Sequence, residues 1–569
     1  MKTKDGSKRR QKLFSPKLFS CFKDYSGQKL VNDIVAGVIV AIIALPLSIA
    51  LAIASGVSPE QGLYTAIVAG FVIAFLGGSR VNISGPTAAF AAIVAGIVAQ
   101  HGLSGLIVAT ILAGLLLILM GVFRIGGLIK YIPMTITVGF TAGIAVTIAI
   151  GQLKDFLGLT YPAGMATIET LDKLKAVALS LNTVNLHALI VGLFGMAILI
   201  LFPLLGKIGK GGFSKVISKI PASIVAVIAG VLLVRFTPLN VNTIGTLYPD
   251  IKAGFPVPSF PAISFDTVIA VAPSAFTIAI LAAIESLLSC VVSDGMIGDR
   301  HNSNTELIAL GIGNIASGIF GGIPATGAIA RTAANVKNGG RSPISGMVHA
   351  AVLLLFLAVL MPLAKLIPMP IIAAILFMVA YNMSEWRHFV HILKTAPKSD
   401  IIVMIATFVL TVVFDLVVAI IAGLLLAFVL FMKRMSEVSS VRRWDENDMD
   451  KKAKKIPEGT VVYEYSGPMF FAGSDKILDC LATDGAKTVI LRMSKVDALD
   501  ATAMRNLEQL HASLSEKGVR LVLSHVRQQP LNVMKKAGFI DAVGEDNFFG
   551  DIDDALSAVS EESQNTNGI

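Results

Sequence analysis

Between Leu30 and Met432 the chain consists of long apolar segments separated by short polar intervals. A lipid bilayer holds no water to bond free N–H and C=O groups, so irregular backbone survives there only where protein covers it or where it lines a wet cavity. Apolar segments of this kind are therefore expected to be helices. With 54% hydrophobic and 15% charged residues, the sequence predicts an all-α polytopic membrane domain and not a soluble enzyme.

We place fourteen apolar segments at the approximate limits 31–54, 62–77, 86–100, 103–123, 131–151, 187–205, 221–236, 267–291, 305–320, 326–337, 343–362, 369–382, 400–413 and 415–432. Seven fall in each half, and an odd number of spans per half would orient the halves oppositely, as a 7+7 inverted repeat. With Met1 inside, the loops predicted inside are rich in Lys and Arg and those predicted outside are sparser. We therefore predict 14 spans with both termini cytoplasmic.

The net charge of +9 is explained by the excess of Lys and Arg in cytoplasmic loops, because the basic residues stand beside the apolar segments. We therefore expect no nucleic-acid partner. The three cysteines are too scattered for a disulfide framework or a metal site. The N-terminal residues could lie in the membrane interface with Lys17 and Lys23 facing lipid phosphates, or could form a poorly ordered tail. Both alternatives remain open at this stage.

From Thr460 onward strand-like runs alternate with helical patterns, which indicates a small α/β domain. The predicted organisation is a cytoplasmic N-terminal segment (1–29), a transmembrane transport domain (30–432), a charged linker acting as a hinge (433–459), the α/β domain (460–560) and a disordered tail (561–569). The linker is expected to be solvated because charged residues dominate it.

Two Gly/Pro/Thr-rich breaks interrupt the apolar pattern at corresponding places in the two halves, at 77–90 and 321–341. Paired interruptions of this kind point to the binding site of a transporter. A helix beginning at Pro86, or just after Pro324, would present unpaired N–H groups and the positive end of its dipole to the residues before it. The ligand that suits such an arrangement is a small anion.

The candidate substrate-binding residues are small or hydroxyl-bearing residues around the breaks, a serine in the first span and one arginine: Ser48, Ser84, Gly85, Pro86, Thr87, Ala88, Thr326, Gly327, Ala328 and Arg331. Small residues let an anion approach the backbone, and threonine hydroxyls can donate to it. The alternative is that these glycines and alanines only permit close helix packing.

Two charged residues are predicted at membrane depth, where a charge is costly unless it is paired or hydrated. Arg331 could supply the fixed positive charge that an oxyanion needs, or it could pair structurally with Glu285. Glu285 lies within a long apolar run and could carry a proton, or it could be a purely structural acid. His187, His349 and His391 are predicted to be interfacial or packing residues.

Several long motifs, in the same order along nearly the whole chain, resemble the SulP (sulfate permease) anion-transporter family. They are ALPLSIALAIASGVSPEQGLYTA (44–66), NISGPTAAF (82–90), AIESLLSCVVSDGM (283–296) and ATGAIARTAANVKNGGRSPISG (325–346). The runs AIESLLS, AIARTAANV, NMSEW and APKSDIIVM are most similar to the family's bacterial dicarboxylic-acid transporters. The domain from Thr460 resembles a STAS domain, the module shared with anti-sigma-factor antagonists.

The resemblance implies core and gate domains, a substrate between the N-termini of the third and tenth spans, an elevator-like movement and a homodimer in a bacterial inner membrane. It places Glu285 at the acidic position linked to cation or proton coupling. It also places Thr502 where the soluble relatives carry a phosphorylatable residue, with helix capping and packing as the alternative. The chain departs from many relatives at Leu47, where a polar residue would follow Pro46.

We therefore expect a secondary active transporter that couples uptake of a C4-dicarboxylate to protons, without a cofactor. The alternatives are a bicarbonate or sulfate transporter, in which Na⁺ could be the coupling ion, and a signalling membrane protein whose STAS domain is the output and binds a cytoplasmic partner. A nucleobase–proton symporter of similar architecture is a further alternative. An enzyme is not expected, because the sequence contains no nucleophile–base pair, metal cluster or phosphate-cradling loop.

Overall fold

The computed structural model describes residues 13–22, 25–127, 133–162, 165, 169–208, 220–251, 254–260, 264–414, 416–444, 456–482 and 485–566. The chain divides into two compact units, Met1–Leu424 and Leu425–Ile569. The first unit is helical apart from two very short strands, and the second contains a five-stranded sheet.

The helices and strands of the first unit are α1 (Lys17–Cys21), α2 (Gly27–Ala54), α3 (Pro59–Leu76), β1 (Ser84–Gly85), α4 (Ala91–Val122), α5 (Met134–Leu157), α6 (Thr170–Leu179), α7 (Leu186–Ile208), α8 (Ala222–Phe236), α9 (Ile244–Leu247), α10 (Phe265–Ile297), α11 (Ser303–Ile319), β2 (Thr326–Gly327), α12 (Ile329–Lys337), α13 (Ile344–Ala364), α14 (Met369–Ser384), α15 (Trp386–Thr395) and α16 (Lys398–Val413). The helix α17 (Leu416–Val438) begins in the first unit and ends in the second.

The predicted apolar segments coincide with these helices. Among the described residues, nine helices are long and apolar enough to cross a bilayer, and Ala222–Phe236 is a shorter apolar helix. The predicted segments 86–100 and 103–123 both overlap α4 and the 3₁₀ turn Ala88–Phe90 before it, and Gly102 bends α4 with φ 65° and ψ −171°. A non-glycine side chain would be strained at this φ, so Gly102 separates two helical pieces. The count of fourteen crossings remains a prediction.

The membrane helices pack into two groups. The first, here called the core group, contains α2, α3, α4, α10, α11, α12 and α13, and the second, here called the gate group, contains α5, α7, α8, α14 and α16. Within the core group α4 and α11 touch backbone to backbone, since a Cβ on Gly311 would lie 2.4 Å from the Gly114 carbonyl oxygen. Contacts between the two groups are sparse and come chiefly from α2 against α8 and α14.

The segment before α2 packs against the core group. The Ser15 amide donates to the Thr305 hydroxyl at 3.0 Å, and Lys17 forms an ion pair of 3.0 Å with Asp299, which also pairs with Arg80. The prediction that Lys17 faces lipid phosphates was therefore wrong, because a carboxylate nearby offers it a fixed partner. Lys23 lies outside the described residues.

The second unit contains β3 (Ser440–Arg443), β4 (Thr460–Ser466), β5 (Thr488–Lys495), α18 (Ala501–Glu516), β6 (Arg520–Ser524), α19 (Gln528–Lys536), α20 (Phe539–Val543), β7 (Phe548–Phe549) and α21 (Ile552–Thr566). The sheet order is β3-β4-β5-β6-β7, with β3 antiparallel to β4 and the other pairs parallel. Alternate residues face opposite sides. On β5, Val489 and Leu491 pack with α18, whereas Ile490 packs with Leu556 of α21.

Two predicted boundaries of the second unit need correction. The charged linker is in part structured, because α17 continues to Val438 and residues 440–443 pair with β4; residues 445–455 lie outside the described part. The tail predicted to be disordered at 561–569 is helical as far as Thr566. The helix begins with Asp553 and Asp554 in its first turn, where acidic side chains favour the helix dipole.

Candidate anion site

The two sequence breaks meet as a short antiparallel ladder. Ser84 pairs with Gly327 and Gly85 with Thr326. Both segments are buried, so their backbone groups must find partners within the protein, and each break supplies them to the other. Because the ladder is antiparallel, the helices that follow the breaks leave it in opposite directions.

Each break is followed by a helix whose first N–H groups have no partner in the helix itself. The first helix starts as a 3₁₀ turn at Ala88–Phe90 and continues as α4, while α12 starts at Ile329 with Ala328 as its N-cap. Both starts lie after the predicted ones, because Thr87 is still extended and Thr326 is held in the ladder. The positive ends of two helix dipoles are thus placed directly after the paired breaks.

Arg331 is the cation of this site. Its side chain is 5% exposed, its Nη2 donates to the Pro86 carbonyl oxygen, and its Nη1 has no hydrogen-bond partner among the described residues. Gly85 lies against the guanidinium, since a Cβ there would be 2.8 Å from Nη1. A buried charged donor without a partner is costly. Arg331 therefore offers one unused N–H direction to an acceptor.

Glu285 lies on α10 and takes its hydrogen bond from the first break. The Thr87 hydroxyl donates to its Oε2 at 3.0 Å, whereas Arg331 Nη2 is occupied by Pro86. Glu285, Thr87 and Ala328 are partly accessible, while most of the other predicted site residues are buried. These three residues therefore form the accessible part of the site.

The remaining candidate residues have different surroundings. Thr326 donates its hydroxyl to the Ala282 carbonyl oxygen at 2.8 Å, and the Ala328 amide donates to the Ile83 carbonyl oxygen at 2.8 Å. These groups are occupied, so neither is a free donor for a ligand. The Ser48 and Ser84 hydroxyls are buried and have no partner among the described residues. Ser48 contacts Gly62 of α3 and is not joined to the ladder by a hydrogen bond in the described structure.

Next to the ladder lies a cluster of buried polar side chains that the sequence pattern did not predict. Asn82 donates to Glu306 Oε1 at 2.7 Å, and Glu306 Oε2 accepts from the Gly78 amide at 2.8 Å. The Thr332 hydroxyl donates to Asn82 Oδ1 at 3.0 Å and accepts from the Ile83 amide at 2.9 Å. Glu306 stands in the first turn of α11, where an acid is unremarkable in sequence. Its role in anchoring the first break is visible only in three dimensions.

The second break is fixed in the same way from α3 and α11. The Thr65 hydroxyl accepts from the Ile323 amide at 2.7 Å. Asn314 bonds both the amide and the carbonyl of Ala325, at 2.8 and 2.9 Å. Every one of these polar side chains sits on an apolar helix and faces the break. An isolated Thr or Asn within an apolar segment is the signal that could have identified them.

A third polar chain connects the start of α2 to the first break. Asp33 is fully buried and accepts from the Tyr25 hydroxyl at 2.7 Å and from the Arg341 amide at 2.7 Å. Burial raises the pKa of Tyr25 to about 12, so its hydroxyl keeps the proton that it donates. Ser342 donates to Asp33 and is linked through Ser345 and Asn335 to the Val81 carbonyl oxygen.

The three predicted packing histidines have different surroundings. His349 is 1% exposed, and neither ring nitrogen has a partner among the described residues. His187 accepts from the Asn240 amide at 3.2 Å, and His391 is exposed. The structure supplies no hydrogen bond from any of them to the paired breaks within the residues that it describes.

Thr502 is exposed near the start of α18. Asp500 caps this helix through a hydrogen bond from the Ala503 amide at 2.9 Å, so Thr502 itself is not the cap. Asp500 also accepts from the Phe471 amide at 2.8 Å. Phosphorylation of Thr502 remains a prediction.

Within the described residues no group of three His, Cys, Asp or Glu side chains is placed to hold a metal ion.

Residues 30–407 match the model of the sulfate permease family, and residues 451–555 match that of the STAS domain. The chain belongs to the sulfate permease family. Its members are transporters, and the predicted membrane domain followed by a STAS domain is confirmed.

Two relatives resemble this sulfate permease family protein over most of its length. YvdB of Bacillus subtilis (strain 168), named for sulfate transport, is 39% identical over 93% of this chain and 97% of its own. The bicarbonate transporter BicA of Picosynechococcus is 32% identical over 84% of this chain and 85% of its own. The solved transmembrane domain of a cyanobacterial BicA matches 71% of this chain and 98% of its own with a TM-score of 0.60 and 30% identity.

The fold also resembles a more distant solved structure. SLC26A9 covers 96% of this chain and 93% of its own with a TM-score of 0.83 at 18% identity. This similarity concerns the fold alone. It agrees with a helical membrane unit followed by an α/β unit, as predicted from the apolar segments and the strand–helix alternation after Thr460.

We predict that Thr332→Val destabilises the protein by about 1–3 kcal/mol, because it leaves the buried Ile83 amide without its partner. It also removes one of the two hydrogen bonds to Asn82 Oδ1, which keeps the bond from the Ser289 hydroxyl. Thr332→Ser keeps the hydroxyl and is the matched control. Thermal unfolding of the purified, detergent-solubilised variants checks this. A Val variant that unfolds at the same temperature as the Ser variant would contradict the anchoring role of Thr332.

Proposed function

We propose that this protein is a secondary transporter of small anions that binds its substrate at the paired breaks. The observation that carries this proposal is the meeting of the two breaks beside Arg331, whose Nη1 has no partner in the described residues. Two helix dipoles and one guanidinium act on the same place, and each favours negative charge. The membership of a transporter family and the named roles of YvdB and BicA support anion transport.

The substrate class that we propose is a C4-dicarboxylate such as succinate. Leu47 follows Pro46 where many relatives have a polar residue, and its side chain packs against the apolar cluster around Ile371 and Ala374 of the gate group. An apolar side chain at this place suits the methylene carbons of a dicarboxylate better than the hydration shell of sulfate. The elongated carboxylate would direct one end to Arg331.

Bicarbonate or sulfate is the second candidate. The observation in its favour is the set of relatives, because YvdB is named for sulfate and BicA for bicarbonate. Arg331 can bind any of these oxyanions through charge-assisted hydrogen bonds. Na⁺ would then be an alternative to H⁺ as the coupling ion.

Glu285 is the proposed proton carrier. It is partly accessible, and its carboxylate accepts a hydrogen bond from the Thr87 hydroxyl of the first break. If Glu285 takes up a proton as the anion binds at Arg331, the proton and the anion would be transported together. The core group would carry the site past the gate group in an elevator-like movement, which the sparse contacts between the groups favour. We further propose a homodimer in a bacterial inner membrane.

Counterflow in proteoliposomes tests the substrate. We expect labelled succinate to be taken up, at a rate that an inward proton gradient increases, and sulfate and bicarbonate to be taken up more slowly. Parallel vesicles with a Na⁺ gradient distinguish the coupling ions. Selective uptake of bicarbonate or sulfate would establish the second candidate, and no flux of any of the three would refute the proposed function.

A second assay tests whether the membrane domain can exchange substrate without the STAS domain. The chain truncated after Lys455 lacks the STAS domain, and we expect it to retain substrate exchange because every proposed binding residue precedes that position. Exchange that is lost although the truncated chain is folded and inserted would instead indicate that the STAS domain is required for transport.

We predict that Arg331→Gln lowers the apparent affinity for the anion at least about tenfold, since a hydrogen bond to a charged group contributes about 1.5–3 kcal/mol. Arg331→Lys keeps the charge without the planar fork and should fall between Gln and the natural residue. Concentration-dependent counterflow gives the affinities, and thermal unfolding verifies that the variants are folded. An unchanged affinity in the Gln variant would remove Arg331 from the site.

Glu285→Gln is expected to keep exchange of substrate but to lose accumulation driven by a pH gradient, because glutamine cannot take up the proton. The amide oxygen can still accept the Thr87 hydrogen bond. Thr87→Val is the control, since it removes that bond and leaves the carboxyl group. Proton-driven, uphill uptake by the Gln variant would show that the proton is carried elsewhere.

A further inference from the structure

An apolar cavity of about 370 Å³ lies between the core group and the gate group. Every lining side chain is apolar. The core group contributes Ile42, Leu45, Pro46, Ile49, Leu63, Phe356, Leu360, Met361, Leu363 and Ala364, the gate group contributes Ile224, Val227, Ile228, Val231 and Leu232, and Leu366 and Ile367 complete the lining. Water does not fill a cavity that offers it no polar partner.

The packing of α8 explains why the cavity exists. Gly230 of α8 touches Ile371 of α14, since a Cβ at Gly230 would lie 2.5 Å from the Ile371 Cγ1, and Ala226 is fully buried in the same cluster. This close contact holds α8 against α14. On the opposite side, Pro46 interrupts the hydrogen bonds of α2 and itself lines the cavity. The two helices therefore enclose a space that neither fills.

The cavity opens sideways toward the hydrocarbon of the bilayer. Its rim residues Ile228, Leu232 and Leu363 are 56%, 50% and 59% exposed. They belong to α8 and to α13, and α13 is long and apolar enough to cross the membrane. The floor contains Leu63 and Met361, which are at most 2% exposed. Any molecule that enters from this side comes from the lipid phase.

We propose that the acyl chain of a membrane lipid occupies this cavity and completes the contact between the two helix groups. Acyl chains are apolar and flexible, and the bilayer supplies them at high concentration at this depth. It would fill the space between α2 and α8 with dispersion contacts that neither helix group provides alone. This site takes a different ligand from the paired breaks and does not depend on what the protein transports.

Photocrosslinking tests the proposal on the full, unaltered chain. The protein is reconstituted into palmitoyl-oleoyl phosphatidylcholine vesicles doped with a phosphatidylcholine that carries a diazirine on its acyl chain, and adducts are located by peptide mass spectrometry after irradiation. We expect adducts on the floor residues Leu63 and Met361 as well as on the rim. Adducts confined to Ile228, Leu232 and other exposed residues would overturn the proposal.

A cavity-filling variant provides the matched comparison. Ile228→Trp places a large ring at the mouth of the cavity and should lower the floor adducts at least about fivefold, since the chain and the ring compete for one volume. Leu201→Trp is the control, because Leu201 is 57% exposed on α7 and does not line the cavity. If Ile228→Trp fails to fold, Leu232→Trp replaces it. Unchanged floor adducts in a folded filling variant would also overturn the proposal.

Discussion

The structure depends on one constraint, which is that every backbone polar group at membrane depth needs a partner inside the protein. Two segments of this chain are not helical there, and they meet this requirement chiefly through each other and through nearby side chains. The ladder of Ser84 and Gly85 with Gly327 and Thr326 pairs their backbones. Asn82, Thr332 and Asn314 bond much of the rest. Because these partners come from both halves of the chain, the breaks and the core group can form only together.

The same constraint explains the electrostatics of the site. An arginine that is 5% exposed would be unfavourable without partners. Arg331 Nη2 donates to the Pro86 carbonyl oxygen, whereas its Nη1 has no partner in the described part of the chain. Glu285 of α10 accepts a hydrogen bond from Thr87 of the first break and stays partly accessible. The positive helix ends and the guanidinium act together, whereas the carboxylate lies at the accessible side. A negative solute would complete this arrangement.

The membrane helices divide into the core group and the gate group. Glycines such as Gly114 and Gly311 bring α4 and α11 into backbone contact and make the core group compact. The gate group is packed through Ile371, Ala374 and Ala226. Between the groups the contacts are few, and an apolar cavity takes up part of the space. Tight packing within each group and loose packing between them is what the proposed elevator-like movement would require.

The sequence alone determined which residues form the membrane helices, because 20 apolar residues have no other stable form in a bilayer. It also located the two breaks and the change to an α/β domain after Thr460. Only the tertiary structure decided which groups face a ligand. It showed that the Ala328 amide and the Thr326 hydroxyl are already bonded, that Glu306 and Asp33 anchor the breaks, and that Lys17 pairs with Asp299. The partner of Thr326 is 44 residues away and the other partners lie more than 200 residues away. A sequence pattern of local period carries no information about contacts at such separations.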